Sequence, residues 1–213
     1  QSPIIVSQDH SNTILINSVQ NNQAKNSLLP FLAQQGINTI DYGLAYENSS
    51  NSSTEWLAIS QRVRTKAIFA SESHNLPAIK TALSGTFPEI MTKSARLTMD
   101  KDLNLINIQI ADYSWLIIGK PANTDNINQK IETYIKQHHL ASQQLVILFS
   151  GNIASRWLEL LQPKMAIASN DQITHDTKQI LQQKQIEFHN TAVESVIRWT
   201  PERGIIQAHN QLN

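Results

Sequence analysis

The sequence predicts an α/β domain built of two mixed β-sheets sandwiched between helices. Three observations point there. The chain has 213 residues, enough to bury one sizeable core. Both ends are rich in short apolar runs of strand length. Between them, strand-like runs alternate with stretches whose apolar residues recur at helical spacing. A single doubly wound sheet is the competing architecture. No internal repeat or linker-like stretch breaks the pattern, so residues 1–213 read as one domain.

In chain order, "PIIVS" and "TILIN" flank the turn-like "QDHSN" and read as a hairpin. Residues 24–35, "AKNSLLPFLAQQ", have helical periodicity and stop at Gly36, suited to the left-handed position past a helix end. "INTIDYGLA" is the next strand. It runs into "LAYENSSNSSTEW", a polar loop of the kind in which α/β proteins keep their chemistry, yet with almost no chemistry-bearing side chain. Residues 54–63 are expected to be helical, "KAIFAS" a buried strand, and residues around 76–83 a further helix. "ARLTM", "LNLINIQI" with clear alternation and "YSWLIIG" are three strands. "TDNINQKIETYIKQHHL" is an amphipathic helix capped by Thr124 or Asp125. Then follow the strand "QLVILFS", the helix "ASRWLELLQ", the strand "KMAIAS", the helix "HDTKQILQQKQ", and the strands "IEFHN", "SVIRW" and "GIIQAH". Leu15, Leu44, Ile68, Ile117, Ile147 and Ile167 are the expected buried strand residues.

Composition excludes several functional classes. Lys plus Arg and Asp plus Glu both number 17, so no long-range field favours nucleic acid and any such contact needs a local patch. Cysteine is absent, which removes disulfides and thiolate metal sites without fixing a compartment. The longest apolar runs, such as "LVILF", are far shorter than a membrane span. The chain begins at Gln1, without Met or a signal-like segment, as a piece cut from a longer protein would.

Several stretches, taken together and in order, resemble the C-terminal metallo-β-lactamase-like domain of the ComEC competence proteins, a family of DNA-uptake channels. "PIIVSQDHSNTILINS" resembles the family's opening hairpin, which ends in a Leu-Ile-Asp-Gly-Gly pattern, and "LLPFLAQQGINTIDYGLAY" the helix and strand leading into its main metal motif. "WLELLQPKMAIAS", "THDTKQILQQKQIEFHNT" and "VIRWTPERG" resemble the closing third in order and spacing. The likeness covers nearly the whole chain, with the middle, around residues 85–110, shortened. The family's Asp-Val-Gly-Gln-Gly start is missing. The resemblance implies a metallo-β-lactamase-like αββα sandwich of two mixed sheets flanked by helices.

It also implies where a metal site would stand, and that this chain has lost it. The family's His-x-Asp-x-Asp-His motif grips two divalent cations, and its matching positions here are Tyr46, Asn48, Ser50 and Asn51. The hairpin's Asp becomes Asn17, the bridging Asp of a Thr-Gly-Asp turn becomes Lys120, and the His-His-Gly-Ser motif falls near "FSGN", around Ser150. Only the last ligand matches, as His175. Neutral amides and hydroxyls do not offset the dehydration of two dications, and an ammonium at the bridging position repels them. The expectation is therefore no cofactor and no catalytic residue.

Other residues weigh little. His138 and His139 lie before "QLVILF" rather than after it and suit a solvated helix C-terminus. For His175 capping or plain packing is the simpler role, and His10, His74, His189 and His209 share no ligand spacing. Ser150 lacks a nucleophile elbow, and no glycine-rich phosphate loop exists. Arg62, Arg64 and Lys66 in "RVRTK" form the densest basic cluster and, with Lys120, are the candidate DNA contacts; a solvated helix end is the plainer reading. Lys93, Arg96 and Lys101 are a looser cluster. Trp115 and Trp157 are expected in the core, whereas Trp56 and Trp199 are the tryptophans expected to be partly exposed.

Through the resemblance, the expected function is a non-catalytic domain on the periplasmic side of the cytoplasmic membrane, with a scaffolding or DNA-guiding role. Its expected partners are the transmembrane channel portion of the same protein, other DNA-uptake proteins, and DNA bound weakly and without sequence preference. Two alternatives stand: a metal-dependent phosphodiesterase or nuclease with atypical ligands, and a free α/β binding protein.

Overall fold

The computed structural model describes residues 4–8, 12–17, 24–45, 52–70, 89–100, 103–119, 126–138, 140, 144–150, 153–169, 173–194 and 196–208. The chain divides into two compact units, Gln1–Pro88 and Glu89–Asn213.

The first unit is a four-stranded mixed sheet in the order β1-β2-β3-β4: β1 (Ile5–Gln8), β2 (Thr13–Asn17), β3 (Thr39–Ala45) and β4 (Arg64–Ala70). β1 and β2 form the expected antiparallel hairpin, while β2, β3 and β4 run parallel. A π-helical turn, Ala24–Leu28, leads into α1 (Leu29–Gln34), and α2 (Ser52–Ser60) connects β3 to β4. Past α1 the Ile37 N–H donates to the Leu32 carbonyl at 2.8 Å and the Gly36 N–H to Ala33 at 3.1 Å. This is a Schellman cap with Gly36 at φ +69°, where a side chain would be strained. Leu15, Gly43 and Ile68 lie opposite one another on the three parallel strands, and the Trp56 ring of α2 fills the space over Gly43. Trp56 is consequently 0% exposed, against the expectation of partial exposure. Gly43 admits no Cβ, because one would stand 2.5 Å from Trp56 Cη2. Leu28, Leu29 and Leu32 join Trp56 and Ile59 in the same core.

The second unit is a seven-stranded mixed sheet in the order β11-β10-β9-β8-β7-β6-β5. β5 (Ile90–Met91), β6 (Ala95–Asp100), β7 (Leu105–Ile110) and β8 (Tyr113–Ile118) form an antiparallel meander. From β8 the sheet continues in parallel through β9 (Leu145–Phe149), β10 (Met165–Ala168) and β11 (Glu187–Asn190). Parallel neighbours need crossovers, supplied by α3 (Ile127–His138), α4 (Ser155–Leu161) and α5 (His175–Gln183). Leu116, Ile147 and Ala166, level on β8, β9 and β10, share a core with Ile131 and Tyr134 of α3, Trp157 and Leu158 of α4 and Leu181 of α5. A short helix, α6 (Thr191–Glu194), precedes an antiparallel ribbon of β12 (Val196–Thr200) and β13 (Gly204–Ala208).

The fold is thus mixed α/β with two mixed sheets and helices against them, and the doubly wound alternative does not hold. The six expected strand core residues are all buried. β5 and α6 carry too few apolar positions to show a period, and the opening turn of the helix expected over residues 24–35 is π-helical. The expected helix at residues 76–83 and the caps Thr124 and Asp125 lie outside the described residues. Among the described residues no helix is long and apolar enough to cross a membrane.

Candidate functional site

In both units the expected site positions follow the C-terminal ends of parallel strands. In the first, Asn17 ends β2 opposite Ala45, which ends β3, and Ala45 stands opposite Ala70, which ends β4. The three strands therefore finish level, and Tyr46 follows Ala45 in sequence. Tyr46, Asn48, Ser50 and Asn51 lie outside the described residues, as does the side chain of Asn17. In the second unit Ile118, Phe149 and Ala168 end β8, β9 and β10 in register. The Gly119 N–H donates to the Asn104 carbonyl at 3.0 Å, and Lys120, the next residue, is outside the described residues. Ser150 directly follows β9. At this edge the Phe149 carbonyl accepts from the Ser169 N–H at 3.0 Å and from its hydroxyl at 3.4 Å.

His175 opens α5 and is exposed. It does not cap the helix. Thr174 does: its Oγ1 accepts the Thr177 N–H at 3.4 Å and lies 3.0 Å from Thr177 Oγ1. An N-cap needs a short oxygen-bearing side chain in extended backbone, which Thr174 has at φ −62°, ψ 153°. Among the described residues no three His, Asp or Glu side chains converge as a metal ion would require.

Of the candidate DNA contacts, Arg62, Arg64 and Lys66 are exposed. Arg64 and Lys66 share a face of β4, one of the two edge strands of its sheet, where cations also discourage pairing with another chain. Lys66 Nζ is 2.5 Å from Asp41 Oδ1, and Asp41 Oδ2 accepts the Thr13 N–H at 2.8 Å. Asp41 is buried, so this carboxylate links β2, β3 and β4 and takes up part of the Lys66 charge. In the looser cluster Arg96 is paired with Glu89. The His138 ring lies 4.2 Å from that of Tyr134, one helical turn earlier.

Sequence reasoning missed His189. Its side chain is only 12% exposed, with Nδ1 2.9 Å from Glu194 Oε2 and Nε2 3.0 Å from Glu187 Oε1. Glu194 Oε1 also accepts the Asn190 N–H at 2.9 Å, which ties α6 to β11. Burial draws the imidazole pKa down, but the hydrogen bonds and charges of Glu187 and Glu194 outweigh it, and the net direction is up. The signal was present in "EFH": residues two apart on a strand share a face.

No protein-family model matches this chain, and no curated protein matches it. Among solved structures it is similar to a new diphosphatase from the PhnP family, with TM-score 0.49 and 9% identity over 88% of this chain and 80% of that one. It is also similar to a metallo-β-lactamase from Hirschia baltica, with TM-score 0.43 and 14% identity over 68% of this chain and 76% of that one. At these scores neither likeness carries an argument about function; the two mixed sheets rest on the strand pairing itself.

Proposed function

We propose that residues 1–213 form one metallo-β-lactamase-like domain whose metal site has been emptied, a non-catalytic extracytoplasmic part of a ComEC-type DNA-uptake channel. The carrying observation is the coincidence of two series. The stretches that resemble the family run collinearly along the chain, and the positions they assign to metal ligands follow the level ends of parallel strands, where α/β sheets place their ligands. The donor set there does not fit two divalent cations: Asn17, Asn48, Ser50, Asn51 and Ser150 offer neutral oxygens, Tyr46 a phenol, Lys120 an ammonium, and His175 one imidazole. In this reading the domain scaffolds the channel or guides DNA beside other uptake proteins, on the periplasmic side.

The test is elemental analysis and nuclease assay of the purified chain, wild type and Lys120→Asp. Neither protein is expected to retain zinc or manganese at a molar equivalent or to cleave DNA, because one restored carboxylate leaves too few ligands. Stoichiometric metal in the wild type, with cleavage lost on chelation, overturns the reading in favour of a metal-dependent phosphodiesterase.

A further inference from the structure

The second unit holds a pocket of about 540 Å³ at the opposite strand ends from Ser150, so it is distinct from the emptied site. Its floor is one face of the parallel strands, where Val146, Met165 and Glu187 lie level on β9, β10 and β11. Its wall is the β12–β13 ribbon. That ribbon turns through Pro201, Glu202 and Arg203 into Gly204, paired with Thr200 and at φ +66°, a left-handed backbone that favours glycine.

Two kinds of chemistry meet in it. The first is aromatic. Trp199 stands edge-on to Tyr113 at 4.8 Å between centroids and to Trp115 at 4.9 Å, so its ring is held by two neighbours while it still lines the pocket. The second is cationic. Lys164 and Arg203 line the same pocket, both are exposed, and neither makes an ion pair with another described residue. Their backbones are fixed. The Lys164 N–H donates to Leu145 at 2.9 Å and its carbonyl accepts from Glu187 at 3.2 Å, while the Arg203 N–H donates to Thr200 Oγ1 at 3.2 Å. The Glu187 carboxylate, with Oε1 3.0 Å from His189 Nε2, also lines the pocket and adds an acceptor group.

An aromatic wall, two uncommitted cations, a carboxylate and a volume in the range of small-molecule sites call for a planar ring carrying a polyanion. We propose that this pocket binds a nucleotide, with the base against Trp199 and Tyr113 and the phosphate between Lys164 and Arg203. Stacking on an aromatic face tolerates any base, and the guanidinium meets phosphate oxygens through paired N–H donors. The proposal does not depend on the DNA-uptake reading. The same chemistry is offered by a free nucleotide and by the phosphorylated end of a strand.

Calorimetric titration of the full chain with AMP tests it, with adenosine and inorganic phosphate as separate probes. AMP is expected to bind with Kd below about 1 mM, and each half alone at least roughly tenfold more weakly. Arg203→Gln and Lys164→Gln change exposed side chains and are expected to weaken AMP roughly tenfold each, about the loss of one charge-assisted contact. Lys130→Gln, on an exposed position of α3, is expected to leave it unchanged. A 5′-phosphorylated trinucleotide that binds more tightly than AMP identifies the strand end as the ligand; equal or weaker binding identifies the free nucleotide. Absence of saturation by AMP, or undiminished affinity in folded Arg203→Gln, overturns the proposal.

Discussion

His189 shows what one side chain decides when two carboxylates hold it. Both ring nitrogens are engaged, by Glu187 on its own strand and by Glu194 on α6, so the ring satisfies both only as an imidazolium. Tyr113, Lys164 and Arg203 are the other titratable or charged groups lining the same pocket, and the two cations oppose the proton that the two carboxylates favour. The carboxylates prevail, and the folded-state pKa lies above the ordinary value of 6.5. A raised pKa means that the folded protein binds the proton more tightly than the unfolded chain. Its stabilising contribution is therefore complete below pH 6.5 and lost as pH rises through the raised value. Thermal midpoints of wild type and His189→Gln across pH 5.5–8.5 are expected to differ most at the acid end and to converge toward the alkaline end. A gap that widens with pH would show that the ring is held neutral.

At the scale of elements, the same helix ending occurs twice with different residues. After α1 the left-handed position is Gly36; after α5 it is Gln185, at φ 55°, with the Gln185 N–H on the Gln182 carbonyl at 3.0 Å and the Ile186 N–H on Leu181 at 2.9 Å. A Cβ in this region costs roughly 1 kcal/mol. Gln185→Gly is therefore expected to stabilise the protein by about that amount, less the added freedom of glycine in the unfolded chain. Urea unfolding that shows a loss instead would mean the Gln185 side chain makes a compensating contact. This pair also explains which elements were legible. Gly36 announces the end of α1, whereas "QQKQIEF" offers no stop signal, so the expected helix runs through Gln185, two residues beyond the observed end at Gln183. Strands such as "LVILF" and "TILIN" were readable because a buried run of that length has few other uses. Trp56 was misjudged because its burial depends on Gly43, a strand away, and such a pairing has no local period. The resemblance assigns its site positions to the ends of strands, and Tyr46, Asn48, Ser50, Asn51 and Lys120 lie outside the described residues. The Glu187–His189–Glu194 cluster was not legible, because Glu194 reaches back from a separate four-residue helix.

At the scale of the whole molecule, net charge limits how strongly any DNA could be attracted. Equal numbers of acids and bases leave no global attraction, so affinity rests on local cations. The exposed group on the first unit is Arg62, Arg64 and Lys66, and the Asp41 carboxylate already neutralises part of Lys66. Each neutralised phosphate releases counterions, so two to three contacts give a slope of roughly −2 to −3 in log K against log salt. The expected outcome is weak binding to single and double strands alike, independent of sequence and lost at moderate salt. Removing the two pocket cations, Lys164→Gln with Arg203→Gln, isolates this surface from the nucleotide pocket. In that background, anisotropy titrations at two salt concentrations give the slope, and Arg62→Glu with Arg64→Glu is expected to abolish what binding remains. Both side chains are exposed, so their reversal leaves the core of the first unit, around Leu15, Trp56 and Ile68, intact. Tight binding that resists salt and survives the double reversal would instead require a stacking surface away from β4.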